Sequence, residues 1–312
     1  MKAVVYNKKN NPEKLVFCDT DQPVPNDNEV LIKVHAVSLN AADYRSLNMG
    51  LIPKRKIFGA DIAGRIESVG INISSFKPGD EVIGDLSNYG FGGLAEYVTA
   101  LEKALVIKPD MVSFEEGAAL PMASMTALQA LRNKARIQKG DKVLIVGCSG
   151  GVGTFAIQLA RYFEAHVTGV CSLKNVQQSI SIGAYHVIDY KVDDFTEMKE
   201  RYKIILGING NYPLLEYRKT LAPGGTYVMF GGSLSQIFKS LALGWILSSG
   251  SKKMTSLAAK TNKTDLEFLA SHAQKGIIKP VIDRRYTPEQ AAEAMRYIEQ
   301  GHSAGKVVIS IP

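Results

Sequence analysis

A buried strand that runs into a glycine-rich turn and then into an apolar helix is the feature that most constrains this chain. The strand KVLIVG covers residues 142–147, and the turn Cys148-Ser149-Gly150-Gly151-Val152-Gly153 follows it directly. Glycines allow a tight turn and a close approach to phosphate, and the N–H groups that open the next helix are donors for an anion. The order predicts a dinucleotide-binding turn; the alternative is a turn that serves packing alone.

The tip of the next predicted strand bears on which dinucleotide is bound. A site that prefers NAD places Asp or Glu about 20 residues after the turn, where it accepts hydrogen bonds from the ribose hydroxyls. Residues 169–175 contain no carboxylate, whereas Ser172, Lys174 and Asn175 offer a hydroxyl, an ammonium and an amide group. These groups suit the additional phosphate of NADPH, which we predict as the cofactor. The alternative is that Lys174 is simply exposed to solvent.

The first part of the chain is predicted to be an antiparallel β domain. Short apolar runs such as EVLIKVHAVSL and IAGRIESVG are separated by turn residues, for example at Lys77-Pro78-Gly79-Asp80. Closely spaced strands with Gly and Pro between them are typical of such a domain. From residue 113 the pattern changes to helix, with Ser113 and Glu116 forming a capping box and a helix expected over 124–135.

Strands and helices then alternate, which predicts βαβ units and a parallel sheet. After residue 262 the pattern changes again: Thr264 is expected to cap one helix, residues 287–290 to start another, and KVVISI to form a final strand. The predicted fold is α/β, with a parallel-sheet domain inserted into a β-rich one. Its boundaries are 1–115 and 263–312 for the β-rich domain and 116–262 for the inserted domain.

Composition narrows the functional classes. The chain has 312 residues, 46% of them hydrophobic, and a net charge of +7. Its Lys and Arg residues are scattered, so we predict neither a nucleic-acid nor a membrane partner. The three cysteines form no CxxC pair, and the N-terminus has no signal-like apolar stretch. These features favour a reducing compartment, and we expect the protein to be cytoplasmic.

Segments along nearly the whole chain resemble the medium-chain dehydrogenase/reductase superfamily, in its zinc-independent branch of quinone oxidoreductases and alkenal/enone reductases. They include VSLNAADYRS, FGADIAGRIESVG, FKPGDEVIG, AALPMASMTALQAL, GDKVLIVGCSGGVG, HVIDY and LAPGGTYV. The resemblance implies a GroES-like catalytic domain with an inserted Rossmann domain, that is, a doubly wound parallel sheet. It also implies a homodimer and hydride transfer from NADPH to an enone, an enal or a quinone.

The same resemblance assigns site residues by position. Asn40, Asp43 and Tyr44 match the substrate-side catalytic motif. The positions that match cofactor-binding residues are Thr126, Gly150, Gly151, Val152, Gly153, Ser172, Lys174, Tyr190, Gly231, Gly232 and Lys306.

The chain departs from the zinc-dependent members of this superfamily. Those enzymes need thiolate and histidine ligands around a catalytic metal. Here the thiolate position reads Ser38-Leu39-Asn40, the motif that would carry a histidine reads Gly59-Ala60-Asp61, and no cysteine lies between Cys18 and Cys148. We therefore predict no metal site.

Two functional questions stay open in the sequence. The Tyr44 hydroxyl could stabilise the charge that develops on a substrate oxygen and then supply a proton, oriented by Asn40 or Asp43. Solvent could equally supply that proton, and Tyr44 could be a packing residue. The alternatives to an enone or quinone reductase are a reversible alcohol dehydrogenase and a non-catalytic NADPH-binding sensor or scaffold protein.

Overall fold

The computed structural model describes residues 1–7, 14–208, 212–231, 248 and 250–312. Its chain divides into two compact units, the first formed by Met1–Met125 with Lys260–Pro312 and the second by Thr126–Ala259. The predicted α/β fold, with a parallel-sheet unit inserted into a β-rich one, is confirmed. The first boundary falls later than the expected one at residue 115, because the helix Phe114–Ala119 packs on the sheet of the first unit.

The elements of the described residues are as follows. The strands are β1 (Lys2–Tyr6), β2 (Leu15–Asp19), β3 (Glu29–Leu39), β4 (Asp61–Val69), β5 (Glu81–Asp85), β6 (Tyr97–Leu101), β7 (Leu105–Ile107), β8 (Lys142–Val146), β9 (His166–Cys171), β10 (His186–Asp189), β11 (Tyr202–Ile208), β12 (Leu221–Phe230), β13 (Lys253–Ser256), β14 (Ile282–Tyr286) and β15 (Lys306–Ser310). The α-helices are α1 (Ala41–Asn48), α2 (Phe114–Ala119), α3 (Pro121–Leu128), α4 (Gly151–Tyr162), α5 (Val176–Ser181), α6 (Leu214–Thr220), α7 (Lys263–Gln274) and α8 (Ala291–Glu299).

The first unit is built on a sheet that, within the described residues, has the order β14-β15-β3-β4-β5-β7, with β6 also paired to β3. All of its strand pairs are antiparallel except β14 and β15. Burial alternates only in the middle of β3, where Ile32 and Val34 are fully buried while Lys33 and His35 are half-buried; residues 30–32 and 36–39 are buried without a break. β3 runs to Leu39 and leads directly into α1, which places the start of that helix at the edge of the core.

The second unit contains a parallel sheet whose described strands have the order β10-β9-β8-β11-β12-β13. This is the strand order of a doubly wound Rossmann sheet, as predicted. β8 lies in the middle, and Val143, Leu144 and Ile145 are completely buried, as expected for a strand covered on both faces. Parallel pairing of β8, β9 and β10 brings their carboxyl ends to one edge of the sheet.

Most helix boundaries follow the local signals. The capping box of Ser113 and Glu116 is confirmed, and so is that of Thr287 and Gln290, which opens a 3₁₀ turn before α8. The expected cap at Thr264 is wrong. Asn262 caps α7 instead, with its Oδ1 accepting the Asp265 N–H at 2.9 Å.

The helix expected over 124–135 starts earlier, at Pro121, and its last part, Gln129–Ala135, is a π-helix. No helix among the described residues is both long and apolar enough to cross a membrane.

Candidate functional site

The glycine turn of the second unit is shaped by close backbone contacts. Gly147 follows β8 with a φ of +87°, and a Cβ at this position would overlap the Ile208 carbonyl oxygen. A Cβ on Gly153 would overlap the Gly147 carbonyl oxygen. Gly150 differs, because a Cβ at this position would have no atom nearer than 3.7 Å. Two of these glycines are therefore required by the protein's own packing, whereas the third leaves open space.

The start of α4 supplies free hydrogen-bond donors. Gly150 is the N-cap residue, and no side-chain hydrogen bond caps the helix there. The first N–H groups of a helix have no acceptor within it, and the helix dipole places partial positive charge at this end. The amides of Gly151, Val152 and Gly153 therefore fit a diphosphate, as predicted for a dinucleotide site.

The tips of β9 and β10 lie beside this turn. Ser172 is half-buried and Lys174 is exposed. Tyr190 is 47% exposed, and its backbone N–H donates to the Cys171 carbonyl at 3.2 Å. The carboxylate at the end of β10, Asp189, accepts a hydrogen bond from the Lys191 N–H at 3.0 Å. The structure thus brings together at one sheet edge Ser172, Lys174 and Tyr190, three of the positions that match cofactor-binding residues.

Asn175, whose amide the sequence analysis grouped with Ser172 and Lys174, makes contacts within the protein that the sequence did not predict. Its side chain is buried, and its Nδ2 donates to Ser149 Oγ at 3.0 Å and to Ser172 Oγ at 3.5 Å. It therefore ties the glycine turn to the tip of β9. No local sequence signal pairs residues 149 and 175, because their contact depends on the register of β8 against β9.

In the first unit, the start of α1 holds the predicted substrate-side residues. Asp43 is fully buried, and its Oδ2 accepts the Asn40 N–H at 2.8 Å while its Oδ1 accepts the Gly59 N–H at 3.0 Å. Burial raises the pKa of Asp43 to about 6, and the two N–H groups oppose that rise. These contacts show Asp43 holding the helix start and the neighbouring loop; they do not orient Tyr44.

Asn40 uses both ends of its side-chain amide. Its Nδ2 donates to Asp61 Oδ2 at 2.8 Å and to the Ser38 carbonyl at 3.3 Å, while its Oδ1 accepts from Lys306 Nζ at 2.5 Å. Tyr44 is half-buried, and its ring lies 5.7 Å from the Arg45 guanidinium carbon. Among the described residues the Tyr44 hydroxyl has no hydrogen-bond partner. This hydroxyl is therefore available to a ligand.

Lys306 and Asp61 form a buried charged pair next to Asn40. Their Nζ and Oδ2 atoms are 3.6 Å apart, and their side chains are 3% and 0% exposed. Asp61 also accepts the Met122 N–H at 3.1 Å. Burial raises the pKa of Asp61 and lowers that of Lys306, and each charge opposes the shift of the other. The resemblance assigned Lys306 to the cofactor site. In the structure its ammonium group contacts the side chains of Asn40 and Asp61. A contact with the cofactor stays a prediction.

The remaining predicted residues are placed as follows. Thr126 is buried in α3, and Gly231 follows β12 with a φ of +77°. Gly232 lies outside the described residues. No group of three or more His, Cys, Asp or Glu side chains suited to a metal ion occurs within the described part of the chain.

A doubly wound sheet whose glycine turn leaves helix amides free, joined to a β-rich unit, defines the class of nicotinamide-dependent dehydrogenases and reductases. Comparison with known proteins agrees. Residues 26–110 match the family described as the alcohol dehydrogenase GroES-like domain, and residues 182–309 match the family described as zinc-binding dehydrogenase.

Relatives and solved structures narrow the class. A chloroplast envelope quinone oxidoreductase homolog of Arabidopsis thaliana is 33% identical over 302 residues, covering 92% of this chain and 91% of the relative. The quinone oxidoreductase structure from Coxiella burnetii superposes with a TM-score of 0.90 at 28% identity, covering 100% and 99% of the two chains. The CurK enoyl reductase structure gives a TM-score of 0.85 at 27% identity, covering 100% and 99%. The chain belongs to the quinone oxidoreductase branch of the medium-chain dehydrogenase/reductase superfamily and is an oxidoreductase.

Proposed function

We propose that this protein is an NADPH-dependent, zinc-independent reductase of α,β-unsaturated carbonyl compounds and quinones. The preference for NADPH over NADH rests on the groups found at the end of β9. There Ser172, Lys174 and the buried amide of Asn175 lie beside the glycine turn, and residues 169–175 contain no carboxylate. A carboxylate would repel a ribose phosphate, whereas an ammonium group and neutral donors attract it.

The donor chemistry of the first unit supports a zinc-independent reaction. At the position where zinc-dependent members carry a thiolate, the Ser38 hydroxyl donates to the Val307 carbonyl at 3.2 Å. Asp61 is occupied by Asn40, Met122 and Lys306. A serine hydroxyl and a carboxylate already paired with an ammonium group do not form the thiolate and histidine set that catalytic zinc requires.

NADPH, when bound, supplies the hydride. The amides of Gly151, Val152 and Gly153 would hold its diphosphate, and Lys174 would pair with its additional phosphate. The Tyr44 hydroxyl would donate a hydrogen bond to the substrate carbonyl oxygen, where negative charge develops as the double bond is reduced. Asn40 donates to Asp61 and accepts from Lys306, and these two bonds would hold the start of α1 so that Tyr44 is presented in one position.

Spectrophotometric NADPH oxidation tests this function. Purified protein is assayed against an enone, an enal and a quinone, and each assay is repeated with NADH. We expect turnover with NADPH and at least about a tenfold lower kcat/KM with NADH, since one charge-assisted contact is worth roughly 1.5 kcal/mol or more. Binding of NADPH without consumption would favour a sensor or scaffold, and oxidation of alcohols alone would favour an alcohol dehydrogenase. Equal rates with NADH would contradict the cofactor assignment.

Replacing Lys174 with alanine tests the phosphate contact. We expect KM for NADPH to rise about tenfold, because one charge-assisted hydrogen bond is lost, while KM for NADH stays unchanged. Steady-state kinetics with both cofactors measures the effect. Lys199→Ala, an exposed lysine of the same unit, is the matched control. A parallel rise in both KM values would contradict a specific phosphate contact.

Replacing Tyr44 with phenylalanine tests the proposed donor. Loss of one donor to a developing oxyanion costs roughly 100-fold in kcat, so we expect a fall of that order with little change in KM. Tyr89→Phe removes a hydroxyl from another half-buried tyrosine of the first unit and should leave kcat unchanged. An unaltered kcat in Tyr44→Phe would leave Tyr44 with a packing role only.

A further inference from the structure

Two of the three cysteines of this chain meet beneath the glycine turn. Cys148 lies in the turn and Cys171 is the last residue of β9, and their side chains are 0% and 3% exposed. Both sulfur atoms contact the same hydroxyl, Ser179 Oγ, at 3.4 Å for Cys148 and 3.7 Å for Cys171. From the sequence, both cysteines would be read as separate packing residues. The structure makes them a dithiol.

The backbone holds the two cysteines side by side. The Cys148 N–H donates to the Val170 carbonyl at 3.2 Å, so the turn runs directly against the end of β9. Space for the Cys148 sulfur exists because residue 169 is glycine: a Cβ there would lie 2.7 Å from Cys148 Sγ. Both sulfur atoms lie within 3.7 Å of the same hydroxyl oxygen, so the two thiols approach each other from adjacent segments, as a disulfide requires.

The two thiols also differ chemically. A hydrogen bond from Cys148 lowers the pKa of Cys171 to about 7, and the same contact raises the pKa of Cys148. A thiolate is the nucleophilic form of cysteine, so Cys171 is the thiol of the pair that reacts first. Buried cysteines are often inert packing residues, but that description does not account for two thiols that hydrogen-bond to each other and contact the same hydroxyl.

We propose that Cys148 and Cys171 form a reversible disulfide when the protein meets a hydroperoxide, and that this disulfide weakens NADPH binding. The Cys171 thiolate attacks one peroxide oxygen, which gives a sulfenic acid and, after protonation, one water molecule. The Cys148 sulfur then displaces that oxygen as a second water and forms the S–S bond. Two thiols lose two electrons and two protons, and one hydrogen peroxide becomes two water molecules. A dithiol reductant reverses the change.

The expected effect on the cofactor follows from the position of Cys148. A disulfide brings the two sulfur atoms to about 2.05 Å, far inside their distance as separate thiols. Cys171 belongs to a strand that is paired on both sides, by β8 and β10, so the turn must move instead. Gly147 packs against Ile208 on the other side of the turn. Movement of the turn therefore changes the direction in which the N–H groups of residues 151–153 point. This step rests on the proposed function, whereas formation of the disulfide does not.

Peptide mapping and cofactor binding test the two steps separately. The protein is treated with hydrogen peroxide, blocked with iodoacetamide and digested with trypsin. Cys148 lies in the tryptic peptide 143–161 and Cys171 in the peptide 162–174, so the disulfide appears as one linked mass. NADPH affinity is measured by fluorescence titration before oxidation, after oxidation and after dithiothreitol. Cys171→Ser prevents the cross-link, and Cys18→Ser is the matched control.

We expect the linked mass in the wild type and in Cys18→Ser, together with at least a tenfold loss of NADPH affinity that dithiothreitol restores. Cys171→Ser should show the same affinity before and after peroxide. Excess NADPH should shift the equilibrium between the dithiol and the disulfide towards the dithiol, because NADPH binding and disulfide formation oppose each other. Absence of the linked mass, or a linked protein with unchanged NADPH affinity, would overturn the proposal. If the reduced protein binds no NADPH, the proposed function fails, and the linked mass still decides whether the disulfide forms.

Discussion

Replacing Gly153 with alanine is expected to lower the affinity for NADPH by about 100-fold or more and to lower the thermal stability of the second unit. The added Cβ would overlap the Gly147 carbonyl oxygen and lie 2.6 Å from the backbone of Cys148. Backbone atoms cannot rotate away as a flexible side chain can, so α4 must shift away from the turn. A displacement of about 1 Å in a binding group is enough for a loss of this size. Fluorescence titration and calorimetry measure the two effects.

Substitutions of two other glycines distinguish a loss of cofactor binding from a loss of stability. Gly150→Ala adds a methyl group where the nearest atom of the protein is 3.7 Å away, so it should weaken NADPH binding without lowering the melting temperature. Gly140 has a φ of +80° and no atom within 4 Å of the added Cβ. Gly140→Ala should therefore show only the backbone cost, about 1–2 kcal/mol, with unchanged affinity. Normal NADPH binding by Gly153→Ala would contradict the role given to the turn.

Replacing Lys306 with methionine is expected to destabilise the first unit by about 3–5 kcal/mol, because it leaves the fully buried Asp61 carboxylate without its cation. The substitution also removes the 2.5 Å hydrogen bond to Asn40. For a unit of this size each kcal/mol lowers the melting temperature by about 2–4 °C, so a fall of roughly 10 °C follows. Chemical denaturation with urea measures the loss directly.

A double variant and an exposed pair serve as controls. Asp61→Asn combined with Lys306→Met removes both charges and should recover a large part of the lost stability, because no unpaired charge remains. Arg285→Met breaks the ion pair with Glu115, whose side chains are 56% and 29% exposed, and should cost less than about 1 kcal/mol. Equal losses for Lys306→Met and Arg285→Met would show that the buried pair contributes no more than a surface one.

Local sequence signals predicted the parts of this protein that depend on neighbours along the chain. The apolar run of β8 and the glycines that follow it require a covered strand and a turn next to a helix, whatever lies elsewhere. The capping boxes of α2 and of the 3₁₀ turn before α8 are similarly contained within four residues. The cap of α7 was misplaced because Asn262 and Thr264 are both good caps, and two residues separate the alternatives.

Short-range patterns were enough to predict the α/β class, the inserted parallel sheet and the position of the glycine turn, because periodicity and glycine spacing act over short distances. Which distant side chains meet could be seen only in the folded chain. Asn175 reaches Ser149, Cys148 meets Cys171, and Lys306 joins Asn40, because strand order and register bring their segments together. A one-residue shift of register turns every side chain of a strand to the other face, and no local pattern records which distant residue then becomes the partner.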